Sequence, residues 1–210
     1  MPRVRVHQHV NPLAPRFQAL SPAIDFTKVF AAPPQQPLPL HLDIGCARGR
    51  FLLKMAQLEP QWNFLGLEIR EPLVDEANRI KNEKSLTNLH YEYCNATISL
   101  GNVLKDLGPG ILQMVTIQFP DPWFKKKHFK RRMVKSGLIN DIAAHLAPEG
   151  KVFIQSDVAK VAEEICGFFN ESPEFKLLRN KKNPFPIKTE RETSVEERGL
   201  PVYRAMFARK

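Results

Sequence analysis

A carboxylate set between two prolines and followed by an indole, Pro120-Asp121-Pro122-Trp123, closes the apolar run Ile117-Gln118-Phe119. Proline fixes its own φ and restricts the residue before it, so the backbone on both sides of Asp121 has little freedom. A rigid carboxylate beside a flat aromatic, Trp123 or Phe124, suits gripping the edge and face of a planar base. Six cations follow in the eight residues from Lys125 to Arg132, placed for the phosphates around such a base. The juxtaposition points to chemistry on a nucleic-acid base rather than on a small metabolite.

The formal charge of +9 over 210 residues is unevenly placed. Residues 1–40 carry +3, residues 125–135 carry +7 and residues 176–210 carry +6, which leaves −7 on everything else. A merely soluble surface mixes its signs; three basic stretches around an acidic body imply a polyanionic partner. A hydrophobic fraction of 43% excludes global disorder. No apolar run reaches the length of a membrane span, and Met1-Pro2-Arg3-Val4-Arg5 lacks the apolar region of a secretory leader. A soluble, cytoplasmic protein without a membrane partner is therefore expected, and nothing implies an obligatory protein partner. Cys46, Cys94 and Cys166 are odd in number and lack CxxC spacing, which implies reduced thiols and no zinc site. His7, His9 and His128 read as arm or rim residues, and no metal is expected.

The elements that must position Asp121 alternate regularly. Residues 1–37 hold seven of the 18 prolines and read as a basic, extended arm, with one short helix near 24–30 at its junction with a domain over 38–210. Strands are predicted over 38–44, 64–69, 90–94, 114–119 and 152–156. Helices are predicted over 50–58, after Pro72, near 100–107, over 134–146 and over 159–170. A last strand pair falls at 175–178 and 202–208. Alternation of this kind implies an α/β fold with a mostly parallel sheet, helices on both faces and an antiparallel addition at one edge.

In such sheets ligands sit at the carboxyl ends of the strands. The first strand runs into Asp43-Ile44-Gly45-Cys46-Ala47-Arg48-Gly49. Gly45 permits close backbone approach to a ligand and Gly49 lets the next helix pack near its strand. This is not the G-x-G-x-x-G dinucleotide fingerprint. Glu68 ends the second strand, where a carboxylate would take both ribose hydroxyls, and Asn95 follows the third, suited to an adenine edge. Each alone also fits a plain strand end or turn. Together, with nothing arranged for a pyrophosphate, they describe S-adenosylmethionine better than NAD.

With these residues in hand, the chain resembles the bacterial tRNA (guanine-N7-)-methyltransferases over roughly 40–210. The resemblance rests on the glycine turn, Glu68, Asn95-Ala96, the Phe119-to-Trp123 motif with its basic tail, Gln155-Ser156-Asp157 and Thr189-Glu190-Arg191-Glu192. It implies a class I S-adenosylmethionine-dependent methyltransferase with a Rossmann-like, seven-stranded sheet, tRNA as partner, and the variable loop as target. It further implies cofactor contacts at Asp43, Glu68, Asn95 and Asp121, with Asp121 also catalytic. Substrate contacts are implied at Lys125, Asp157, Thr189, Glu190, Arg191 and Glu192. The chain departs from the family pattern at Asp43, where Glu is common, at Ala47, where Gly is common, and at Arg191, where an aromatic is frequent.

Several of these positions keep a second reading. Asp157 fits a helix cap as well as a substrate contact, Thr189 with Glu192 fits a capping box, and Lys125 to Arg132 fits a solvated helix start. An amino-group methyltransferase acting on adenine or cytosine, and an inactive RNA-binding module on the same fold, are the competing functions.

Overall fold

The computed structural model describes residues 6–7, 9–31, 37–179 and 182–210. Arg3, Arg5 and Lys181, counted above among the cations, lie outside the described residues, as does most of the boundary expected near residue 37. After a 3-10 turn over Pro15–Phe17 comes a single α-helical turn, α1 (Phe26–Val29), within the window expected for a short helix. The seven strands are β1 (Leu40–Ile44), β2 (Asn63–Glu68), β3 (Leu89–Tyr93), β4 (Leu112–Gln118), β5 (Leu146–Ser156), β6 (Phe175–Leu178) and β7 (Tyr203–Arg209). They form one sheet in the order β3-β2-β1-β4-β5-β7-β6. Strands β1 to β5 pair in parallel, and β7 runs antiparallel between β5 and β6. The expected mostly parallel sheet thus forms, with its one antiparallel strand second from the edge.

A parallel sheet covered on both faces needs strands that are apolar throughout. Leu42, Ile44, Leu65, Leu67, Val115, Ile117, Val152 and Ile154 supply this and are all buried. Covering helices are α2 (Arg50–Leu58), α3 (Glu71–Glu83), α4 (Ala96–Val103), α5 (Ser136–His145) and α6 (Ala159–Glu171). Pro72 occupies the first turn of α3, where its missing N–H costs nothing.

Three boundaries differ from the sequence expectation, each for a local reason. Helix α4 begins at Ala96 rather than near residue 100, because the Asn95 side chain accepts from Thr97 N and starts it early. The end of α5 at His145 hands straight over to β5, which runs through Pro148 and pairs Leu146 with Leu112 before a shift of register. A helix foreshadowed only by the capping-box reading of Thr189 and Glu192, α7 (Glu190–Glu197), starts at Thr189, whose hydroxyl accepts from Glu192 N at 3.1 Å.

The reversal of strand order falls between β1 and β4, since β2 and β3 lie to one side of β1 and β4 and β5 to the other. The loops leaving β1 and β4 therefore diverge and open a crevice at the carboxyl end of the sheet.

Candidate active site

The floor of that crevice is the β1–α2 loop. Gly45 has φ +81° and Gly49 has φ +67°, the left-handed region that favours glycine. A Cβ on Gly49 would lie 2.4 Å from the Tyr91 ring, whose hydroxyl donates to Gly49 O at 2.5 Å, so the expected close packing of helix on strand is present. At Gly45 a Cβ would meet Met133 Cε alone, at 4.0 Å, leaving open space above the loop for a ligand. Ala47, where the family pattern has glycine, also has positive φ, at 52°.

Two buried carboxylates border this space. Asp43 accepts at Oδ1 from Thr116 Oγ1 at 2.6 Å and from Gln118 Nε2 at 3.4 Å. Burial pushes its pKa up to about 6, with nearby Glu68 adding to the rise and both hydrogen bonds opposing it. Glu68 is held on all sides: Oε1 accepts from Arg70 N and Nε, and Oε2 from Arg70 Nη2 and Ala47 N, at 2.8–3.0 Å. A carboxylate offers about four lone-pair sites. Glu68 can therefore receive ribose hydroxyls once the Arg70 side chain withdraws. Arg70, two residues past a strand-ending acid, is a site residue that the sequence reading did not single out.

Asn95 is committed in this conformation. Its Oδ1 caps α4, and its Nδ2 donates to Pro12 O at 3.2 Å and Phe17 O at 2.9 Å. The arm, read from sequence as extended, thus packs across the end of β3 and buries Phe17, Ile24 and Phe30.

Asp121 stands across the crevice in the loop after β4. Backbone strain brackets it, with φ +50° at Phe119 and +44° at Trp123, conformations costly for bulky residues. The Phe119 N–H is fixed to Gln155 O at 2.7 Å. The Asp121 side chain is 40% exposed, and Oδ1 accepts from His9 Nδ1 at 2.7 Å. Trp123 is half-buried: the Arg131 guanidinium lies 5.0 Å from its ring centroid and the His128 ring meets it edge-on at 5.6 Å. Phe124 is 72% exposed, which leaves it the freer of the two aromatics for a base.

The remaining candidates separate into two groups. Lys125 caps a 3-10 turn over Lys126–Arg131 and is exposed, as are Lys126, Lys127 and Lys130. The arginines instead fold back: Arg132 Nε donates to Pro122 O at 2.9 Å, its Nη1 pairs with Glu164, and its guanidinium lies 3.9 Å over Phe129. Around α7 the candidates bind one another or the body. Asp157 pairs with Arg191, and Glu190 with Arg50. The helix-cap reading of Asp157 is not realised, since Val158 N donates to Ser156 Oγ. Glu192 is fully buried and accepts from Arg204 at 2.7 Å, Asn183 at 2.9–3.0 Å and Gln155 at 3.2 Å. Of the expected capping box, Thr189 supplies its half, while the Glu192 side chain is spent on this network. Among the described residues no group of three or more His, Cys, Asp or Glu converges as a metal site.

A seven-stranded sheet with a glycine turn and carboxylates at successive strand ends defines the class I S-adenosylmethionine-dependent methyltransferase fold. Solved structures agree. TrmN from Thermus thermophilus superposes with a TM-score of 0.57 at 15% identity, over 84% of this chain and 45% of that one. The aminoglycoside resistance methyltransferase NpmB1 gives 0.55 at 14%, over 82% and 87%. Residues 37–205 match the family described as "Putative methyltransferase". The relatives carry the assignment further. A tRNA (guanine-N(7)-)-methyltransferase of Trichormus variabilis is 56% identical over 100% of this chain and 98% of its own length. One from Synechococcus elongatus is 54% identical over 100% and 98%. The chain belongs to the tRNA (guanine-N(7)-)-methyltransferase family.

Proposed function

We propose that this enzyme transfers a methyl group from S-adenosylmethionine to N7 of a guanosine in the variable loop of tRNA, with Asp121 as the catalytic residue. The observation that carries the reading is the placement of Asp121. It is a half-exposed carboxylate on a strained two-proline turn, across the crevice from Glu68 and followed within nine residues by four exposed lysines, Lys125, Lys126, Lys127 and Lys130.

Guanine N7 bears a lone pair and no proton, so no general base is needed to make it a nucleophile. S-adenosylmethionine, when bound, supplies the methyl group on a positively charged sulfur. What remains for the chain is orientation, an effect on the order of 7–11 kcal/mol in well-aligned systems, and a fixed negative charge. Asp121 Oδ2 accepts no hydrogen bond among the described residues. It is open to the N–H groups of the guanine Watson–Crick edge, and its charge offsets the positive charge that develops on the ring. Glu68, after release by Arg70, holds the ribose, and Asp43 lies toward the methionine end of the cofactor. Lys125 and its neighbours take phosphates. Asp157, Thr189, Glu190, Arg191 and Glu192 support the substrate side by fixing the backbone near β5 rather than by presenting free side chains.

The arm over 1–37 serves the domain over 38–210 as part of the same site, and the enzyme works in the cytoplasm, where tRNA is modified. Among the described residues no helix is long and apolar enough to cross a membrane.

The test is methylation of unmodified tRNA transcripts followed by nucleoside identification. The expected product is 7-methylguanosine from the variable loop; a methylated exocyclic amine, or cofactor binding without transfer, would overturn the reading. Asp121→Asn should lower kcat by about 100-fold, as loss of one preorganised electrostatic partner does, with the product unchanged.

A further inference from the structure

We propose that His9 is a positioning residue for Asp121, which makes the N-terminal arm a working part of the active site; the proposal rests on the catalytic reading of Asp121 given above.

The carboxylate of Asp121 can only accept, so the contact from His9 Nδ1 to Oδ1 at 2.7 Å places the imidazole proton on Nδ1. The prolines stiffen the chain around Asp121 but leave its side-chain torsions free. A carboxylate free to rotate would present either oxygen, or neither, to a base. The bond to His9 ties Oδ1 and leaves Oδ2, which accepts no hydrogen bond among the described residues, as the acceptor for a base. The imidazole also lies 6.0 Å from the Trp123 ring, tilted 58° to it, so it is placed against both members of the motif.

A positioning group must itself be held. The arm is anchored to the α4 side of the crevice at several points. Asn95 Nδ2 grips Pro12 O and Phe17 O, Ser21 N donates to Ser99 Oγ at 3.1 Å, Asn102 Nδ2 donates to Ser21 O at 2.6 Å, and Ile24 N donates to Val103 O at 3.1 Å. Phe17, Ile24 and Phe30 are buried beneath it. His9 thus hangs from a fixed segment, and Asn95, at the end of β3, sets the place of a side chain that acts at the end of β4.

His9 and Asp121 are 54% and 40% exposed, so their replacement leaves folding intact. His9→Ala should lower kcat for tRNA methylation by about 10-fold, from lost orientation, while KM for tRNA changes by less than about twofold. His9→Gln, whose amide can donate to Oδ1, should recover most of the loss. A double-mutant cycle supplies the decisive comparison: because His9 acts through Asp121, His9→Ala/Asp121→Asn should be no slower than Asp121→Asn alone. A raised KM at constant kcat would reduce the arm to a tRNA grip and overturn the proposal. A raised kcat would make His9 a plug and overturn it too, as would losses that multiply in the double variant. Full turnover by Asp121→Asn would instead overturn the catalytic reading itself, an outcome read from a different variant.

Discussion

Two basic stretches of nearly equal net charge, residues 125–135 and 176–210, are put to opposite uses. In the first, Lys125, Lys126, Lys127 and Lys130 are exposed and form no ion pair among the described residues. In the second, four of the ten cations are spent on ion pairs: Lys176 on Glu149, Lys188 on Glu196, Arg191 on Asp157, and Arg204 on both Glu192 and Glu196. Net charge alone makes both equal candidates for tRNA. Only spare charge can release counterions from a polyanion, so the exposed lysines of the first stretch are the stronger candidates for an electrostatic grip, while the paired cations of the second brace the fold. The same contrast holds for the carboxylates: Asp121 Oδ2 accepts no hydrogen bond among the described residues, whereas Glu192 is fully buried with both oxygens bonded.

The comparison breaks most readily at Glu192. Replacing it with Ala should destabilise the protein by roughly 3–5 kcal/mol, since Arg204 and Asn183 lose a buried partner. Denaturant unfolding measures this, and unchanged stability with lost tRNA affinity would return Glu192 to the role of a direct substrate contact. Next in size is the joint replacement of Lys125, Lys126, Lys127 and Lys130 by Ala. It should cost about 100-fold in tRNA affinity and flatten the log-affinity against log-salt slope by roughly 3, with unfolding unaltered. An unchanged slope would mean that the exposed lysines are not the grip.

Asp43 extends the contrast to pH. Its folded pKa, about 6, lies above the ordinary 3.8. Between those values the folded state holds a proton that the unfolded state does not, so its ionisation costs stability above about pH 6, and the cost vanishes below about pH 4. Relative to Asp43→Asn, the wild type should therefore gain roughly 2–3 kcal/mol as pH falls from 7 to 4. A constant gap in unfolding free energy across that range would refute a strained buried charge. The smallest effect is expected at Lys188→Ala, an exposed pair screened by solvent, with denaturant unfolding and the salt slope of tRNA binding nearly unchanged.

Where a side chain's role follows from neighbours in the chain, the residues told it directly. Gly45 and Gly49 lie where the turn after β1 needs left-handed backbone, Pro72 opens a helix, and Asp121 is stiffened by the prolines that touch it. Helix α7 is marked only at its start, by Thr189 three residues before Glu192, because its sequence, ERETSVEE, has no apolar stripe to show a period or an extent. Arg70 could have been found from its spacing to Glu68. Nothing local joins His9 to Asp121, which are 112 residues apart.

By itself, then, the order of residues determined the alternation of strand and helix, the loops that end at the crevice, and the chemistry available there. These follow from short-range sterics and from apolar periodicity, which act within a few residues. Tertiary structure decided which polar groups were left over. Glu190 met Arg50, Glu192 met Arg204, and Asn95 met the arm, whereas the ammonium groups of four lysines form no ion pair among the described residues. A charge becomes functional when folding fails to satisfy it, and satisfaction depends on partners brought together from across the chain.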